Sequence, residues 1–160
     1  MANKKLHVQE VITQVVDHDT GELTESKTTS TAMFEKEPAY VKLYLEDIGN
    51  MNGLNPSEKK VCYAIIKTMG YNNLVPNMKF IKEKMARDLG MKYNTLDSSI
   101  KGLHKKGILI RQARGVYMVD PHLFGRGAWN DVKKLRMTVE YSQDGRKVFN
   151  AEVAKQLDLF

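Results

Sequence analysis

The chain of 160 residues has one cysteine, one tryptophan and four prolines. A lone Cys62 excludes an internal disulfide framework. None is needed, because a chain of this length can bury about two-thirds of the surface that its unfolded form exposes. No stretch approaches the ~20 consecutive apolar residues of a membrane span, and the opening Met1 to Lys5 lacks the apolar centre of a secretory signal. These absences lead us to expect a soluble, cytoplasmic protein with no membrane partner. Catalytic signatures are equally scarce. There is no phosphate-cradling loop of the Walker type. His7, His18, His104 and His122 stand at no paired metal-ligand spacing. Cys62, between Val61 and Tyr63, reads as core or helix surface rather than as a nucleophile. Asp17, Asp19 and Glu22 beside Gly21 lack the full ligand set of a calcium loop and read as a solvated turn. We therefore expect neither an enzymatic site nor a cofactor.

What the chain does have is positive charge, concentrated in one place. The net charge is +6, yet between Lys79 and Arg114 alone ten Lys and Arg residues face three acids. That segment carries the whole excess, and the rest is slightly acidic. A local cluster of this kind is the footprint of a phosphate-binding face, whereas a merely solvated surface spreads its lysines.

The patterning predicts an α+β fold: a winged helix-turn-helix core flanked by N-terminal and C-terminal β-hairpins. We divide it as 1–36, 37–121 and 122–160. Val8, Val11, Ile12, Val15 and Val16 precede an Asp- and Gly-rich turn at 17–22, and a Thr- and Ser-rich return runs from Leu23 to Thr31, a hairpin pattern. After a break at Lys36 to Pro38, the residues Tyr40 to Ile48 suggest a short amphipathic helix, and 71–77 a loop. Asn55-Pro56 opens a further helix, with Asn55 as cap and Pro56 at the first helical position, and Gly70 closes it. Phe80, Ile81, Met85 and Leu89 form an apolar stripe ending at Gly90. A second helix starts near Asn94 or Thr95, turns Leu96, Ile100 and Leu103 inward, and ends near Gly107. Two short helices around a glycine-bearing turn make a helix-turn-helix pattern. Ile108 to Ile110 and Val116 to Val119 then read as strands around a basic tip. Gly125-Arg126-Gly127 reads as a turn before a helix near Trp129 rather than as a minor-groove hook. Leu135, Met137, Val139 and Tyr141 alternate with polar residues, as in a strand, and Asp144-Gly145 marks a hairpin turn.

The candidate site comes from the second helix. An α-helix fits the major groove of DNA, its N-terminal residues meeting base edges. Tyr93, Asn94, Thr95, Ser98 and Ser99 are the expected groove contacts. Lys92 and Lys101 are the expected phosphate ligands, with Lys105 further along the same face, and Asp97 would cap the helix or accept from cytosine. Arg111 and Arg114 at a ribbon tip suit a wing lying along phosphates or entering the minor groove. The partner implied is double-stranded DNA.

Several stretches together resemble the RepL family of plasmid replication proteins. They are the opening hairpin with Val15-Val16-Asp17 and Thr20-Gly21-Glu22, the segment Tyr40-Val41-Lys42-Leu43-Tyr44, the helix-turn-helix from Ile81 to Lys106, and Gly115 to Pro121 with Leu123 to Gly127 after it. The resemblance spans residues 8 to 142. It departs at Asp120-Pro121, where the family usually has Asn-Pro. It implies a winged-helix protein that binds a plasmid or phage origin and recruits host replication proteins without nicking DNA. The His-rich metal site and paired tyrosines of rolling-circle initiators are likewise missing from the sequence. Two other readings share the motif: a repressor or copy-control regulator of the MarR type, and a protein-interaction adaptor that no longer binds DNA. MarR-type proteins dimerise through terminal helices that the sequence does not suggest. For a homodimer of this chain, the terminal hairpins are the candidate surfaces.

Overall fold

Dense β-branched residues before an Asp-Gly turn produce the longest strands of the chain. In the computed structural model, which describes residues 5–34 and 38–160, β1 (Lys5–Val16) pairs antiparallel with β2 (Leu23–Phe34) in unbroken register. The turn between them is closed by Asp17 N–H donating to Glu22 O at 2.9 Å and by Gly21 at φ +70°. The Asp17 carboxylate accepts the Asp19 N–H at 2.8 Å, so this acid serves the turn. The break expected at Lys36 to Pro38 begins outside the described residues. The chain falls into two compact units, Met1–Ala39 and Tyr40–Phe160.

The second unit is α+β, with five helices and several small antiparallel sheets. Its start corrects the expected helix at Tyr40 to Ile48. There β3 (Lys42–Leu43) pairs with a distant segment, and a single 3₁₀ turn comes after it at Ile48–Met51. The reason is non-local pairing, since Tyr44 N–H donates to Leu123 O at 2.9 Å and Lys42 Nζ to Gly127 O at 2.8 Å. Long-range partners thus override the local helical spacing.

Next comes α1 (Pro56–Thr68), capped as the sequence predicts. Asn55 Oδ1 accepts the Glu58 N–H at 2.8 Å, and Glu58 returns a carboxylate to the Asn55 N–H at 2.9 Å, a full capping box. The stretch 71–77, expected as a loop, holds β4 (Leu74–Pro76). Asn73, fully buried at φ +56°, turns the chain there, and its amide donates to Val119 O and Phe124 O. Pro76, with no N–H to give, sits on an edge strand.

Beyond it lie α2 (Lys79–Asp88) and α3 (Tyr93–Lys105), joined at Gly90 with φ +62°, and the ribbon of β5 (Leu109–Ala113) and β6 (Val116–Val119). The three-stranded sheet runs β4-β6-β5. Its register sends Val75, Leu109, Tyr117 and Val119 to one face and Leu74, Ile110 and Met118 to the other. The first face joins the helical core with Val61, Ile65, Leu96 and Leu103. The C-terminal part of the chain contains β7 (Phe124–Gly125), α4 (Trp129–Met137), β8 (Val139–Tyr141), β9 (Lys147–Phe149) and α5 (Ala151–Gln156). It covers the second face, where Leu135, Val139, Phe149 and Leu159 pack on Ile110 and Met118.

The expected strand from Leu135 to Tyr141 is therefore corrected. Leu135 and Met137 belong to α4, which starts at Trp129, and only Val139–Tyr141 is extended. The C-terminal hairpin forms around Asp144-Gly145 as expected, with Gly145 at φ +73°. A buried ion pair ties it to the sheet: Asp120 takes Lys147 Nζ and the His122 N–H. Burial alone would lower the Lys147 pKa, but the hydrogen bond to Asp120 raises it above the ordinary lysine value. No helix among the described residues is long and apolar enough to cross a membrane.

Candidate nucleic-acid interface

The apolar spacing of α3 decides how it sits. With Leu96, Ile100 and Leu103 buried, the 3.6-residue period turns Asn94, Ser98, Lys101 and Lys105 to the opposite side. Asn94, Lys101 and Lys105 are exposed and Ser98 is exposed beside them, so they form one stripe along a helix about 20 Å long. Lys92 at the N-cap is exposed as well, and so is Thr95 on the flank toward α1. A concave surface of about 390 Å³ borders the stripe on that flank, lined by Asn55, Ser57, Glu58, Asn94, Thr95, Ser98 and Ser99. Nothing in the sequence pattern points to Asn55 and Ser57 at this place. They lie some forty positions away, and only the packing of α1 on α3 brings them here.

Two expected groove residues sit elsewhere. Ser99 is buried, and its hydroxyl donates to Thr95 O at 2.8 Å, a back-bond that satisfies it inside the helix pair. Tyr93 is half-buried on the α2 side, its ring 5.4 Å from Lys82 Nζ. Asp97 neither caps the helix nor stands free. Its two oxygens take Lys82 at 2.7 Å and Lys101 at 2.8 Å. Hydrogen bonds from Lys101 and Lys82 hold the Asp97 carboxyl below its usual pKa against the effect of burial. The bond to Asp97 likewise raises Lys82, whose side chain is only 15% exposed. This Lys82–Asp97 pair fastens α2 to α3 and fixes the angle at which the stripe is presented.

On its other side α3 is held by α1. Gly102 faces Glu58 so closely that a β-carbon there would overlap the Glu58 carboxylate. Glu58 is 5% exposed and binds Lys106 Nζ at 2.5 Å. Burial pushes the Glu58 carboxyl up, but the Lys106 and Asn55 hydrogen bonds outweigh it and bring it below the ordinary value. Phe80, which the sequence spacing puts in the apolar stripe of α2, is instead 70% exposed near the start of that helix. Met85, Ala86 and Leu89 cover the core from this helix.

The ribbon after α3 carries the remaining expected residues. Arg111 and Arg114 are both exposed, Arg111 on β5 before a bulge and Arg114 in the turn. Gly115 closes the turn at φ +75°, and its carbonyl accepts the Asn77 N–H at 2.7 Å. Cys62 is buried in α1, which raises its thiol pKa to about 11.

A model of the RepL family, described as Firmicute plasmid replication protein, matches residues 1–157. No curated protein and no solved structure matches the chain.

Proposed function

The chain belongs to the RepL family of plasmid replication proteins, and from that premise we propose that it starts replication by binding double-stranded DNA at an origin through a winged helix-turn-helix. Topology supports this first. Helix, strand, helix, helix, strand, strand, with the first strand closing on the last, is the winged order. In it α3 is the recognition helix and the β5–β6 turn is the wing. The observation that carries the reading is the exposed stripe Asn94, Ser98, Lys101 and Lys105, with the exposed Arg111 and Arg114 next in the chain.

Each residue has a role that its chemistry suits. Asn94, in the first turn of α3, presents an amide that pairs bidentately with adenine, and Ser98 lies one turn later. Lys92, Lys101 and Lys105 neutralise phosphates, with Thr95 beside them on the α1 flank. Arg111 and Arg114 track the backbone or enter the minor groove. The protein itself breaks no bond. It marks the origin and recruits host replication proteins in the cytoplasm. Family membership favours this over repression from the same motif.

The test is fluorescence anisotropy with tiled fragments of the protein's own gene and flanks. One fragment should bind about 10³-fold more tightly than scrambled controls. The combined reversal Lys101→Glu, Arg111→Glu and Arg114→Glu should abolish binding, and unchanged binding would overturn the interface. The protein should also support maintenance of a replicon that carries the bound fragment and lacks its own initiator. If it lowers expression from a nearby promoter without supporting replication, the protein is a repressor.

A further inference from the structure

Within the unit Tyr40–Phe160, two aromatic rings are exposed on a surface other than the α3 stripe. Trp129 opens α4 and is 47% exposed, and Tyr71, just past the end of α1, is 68% exposed. Gly127 connects them. A β-carbon there would stand 3.1 Å from the Tyr71 ring, and its carbonyl takes Lys42 Nζ at 2.8 Å. The α3 stripe is flanked by Asn55 and Ser57 at the opposite end of α1. The thirteen residues of that helix, about 20 Å, therefore separate Tyr71 from the stripe's flank.

Each ring is backed by an arginine that is itself tied down. The Arg126 guanidinium lies 4.9 Å from the centre of the Tyr71 ring and donates to Met69 O. The Arg136 guanidinium lies 5.1 Å from Trp129 and 4.4 Å from Tyr44, and donates to Pro121 O at 3.0 Å and His122 O at 3.3 Å. Bonds to main-chain carbonyls keep both guanidinium groups against the rings, where cation–π attraction adds to the hold. The rings are thus fixed before any ligand arrives, and a partner that stacks on them orders little.

Charge indicates the partner. From Arg126 to Arg136 four cations stand against Asp131 alone, and Lys133 and Lys134 are exposed. Glu46, 3.9 Å from Arg136, is a further acid nearby. Lys133 lies one turn after Trp129, so it shares the side of α4 that carries the indole, while Val132 and Leu135 are buried. Open π faces beside cations match unstacked bases on a phosphate chain, whereas a duplex keeps its base faces hidden.

We propose that Tyr71 and Trp129 form a stacking platform for single-stranded DNA, one base on each ring, with Lys133 and Lys134 meeting phosphates. The origin reading supplies the source of that strand, DNA opened beside the duplex that α3 holds; the contact itself does not depend on it.

Trp129 is the one tryptophan of the chain, so its emission reports the contact directly. Titrating the full chain with an oligothymidylate of about ten residues at low salt should quench it. Inorganic polyphosphate, which has charge without bases, should leave the emission unchanged, and equal quenching by both would overturn the stacking. With labelled oligothymidylate, Tyr71→Ala and Trp129→Ala should each weaken binding about tenfold, and Trp129→Phe should recover most of the loss. Trp129→Ala should keep the wild-type affinity for duplex fragments. Absence of quenching by oligothymidylate, or a Tyr71→Ala variant that binds as tightly as the wild type, overturns the proposal and leaves the rings to a protein partner. Failure of every duplex fragment to bind would sink the origin reading and leave the quenching result standing.

Discussion

Gly102 shows how much of the placement of α3 depends on one hydrogen atom. A glycine inside a helix ordinarily costs about 1 kcal/mol against alanine. Here the space beside it belongs to the Glu58 carboxylate, which is buried and already bound to Lys106 and the Asn55 N–H. Gly102→Ala must expel that carboxylate, which breaks the capping box and strands Lys106. Loss of a cap costs about 1 kcal/mol, and disturbing a buried charged hydrogen bond about 1.5–3 kcal/mol. The propensity gain is smaller than the sum, so we expect a net destabilisation of about 1–3 kcal/mol, read as a lower urea midpoint. The two depressed carboxyls set a pH dependence. Glu58 and Asp97 titrate below their ordinary values of 4.5 and 3.8. The stability they contribute is complete above those values and is lost as pH falls through the depressed ones. Unfolding free energy should hold from neutral pH down to about 5 and then decline. Glu58→Gln with Asp97→Asn should be less stable at pH 7 and lose less on acidification. Sequence spacing exposes Asn55 and Pro56, because capping is local. It does not expose Gly102, whose reason lies in a residue 44 positions earlier. It also misplaces Ser99, since a hydroxyl that bonds its own helix looks identical to one that faces solvent.

At the scale of elements, the helix-turn-helix is legible in the sequence because α2 and α3 repeat their apolar residues every three or four positions and end at glycines. The misread elements have two causes. At the end of α4 the spacing passes from helix to strand, and Leu135, Met137, Val139 and Tyr141 alternate only by the accident of that junction. The segment around Lys42 looks helical, yet its partner is a strand more than eighty residues away. No local pattern encodes such a pairing. The observed α4 makes a testable demand, because Leu135 is buried against Ile110 and Met118 on the sheet face away from α3. Leu135→Ala should cost about 2–5 kcal/mol through lost burial and the cavity left behind. That should appear in thermal melts. Affinity for DNA, measured well below the melting temperature, should stay within about twofold, because α3 packs its apolar side on the opposite face of the sheet. A large loss of affinity in a still-folded variant would mean that the second face of the sheet shapes the first.

Across the whole molecule, charge is divided between the two units. Met1–Ala39 has seven acids and four lysines, so Tyr40–Phe160 carries an excess of nine positive charges. Only part of that excess is free to meet an outside partner. Lys82, Lys106 and Lys147 are committed to Asp97, Glu58 and Asp120, and they hold the fold rather than a ligand. The exposed cations of the proposed interface are Lys92, Lys101, Lys105, Arg111 and Arg114, with Lys101 shared with Asp97. Each phosphate neutralised contributes about −0.9 to the slope of log affinity against log salt, so one copy bound to one half-site should show a slope of about −4. Two copies on a paired site should show about −8. A wild-type slope near zero would mean that phosphates are not the partner of this face. A slope of about −8 from a chain that never exceeds one chain's mass in solution would place the meeting of the two copies on the DNA rather than before it.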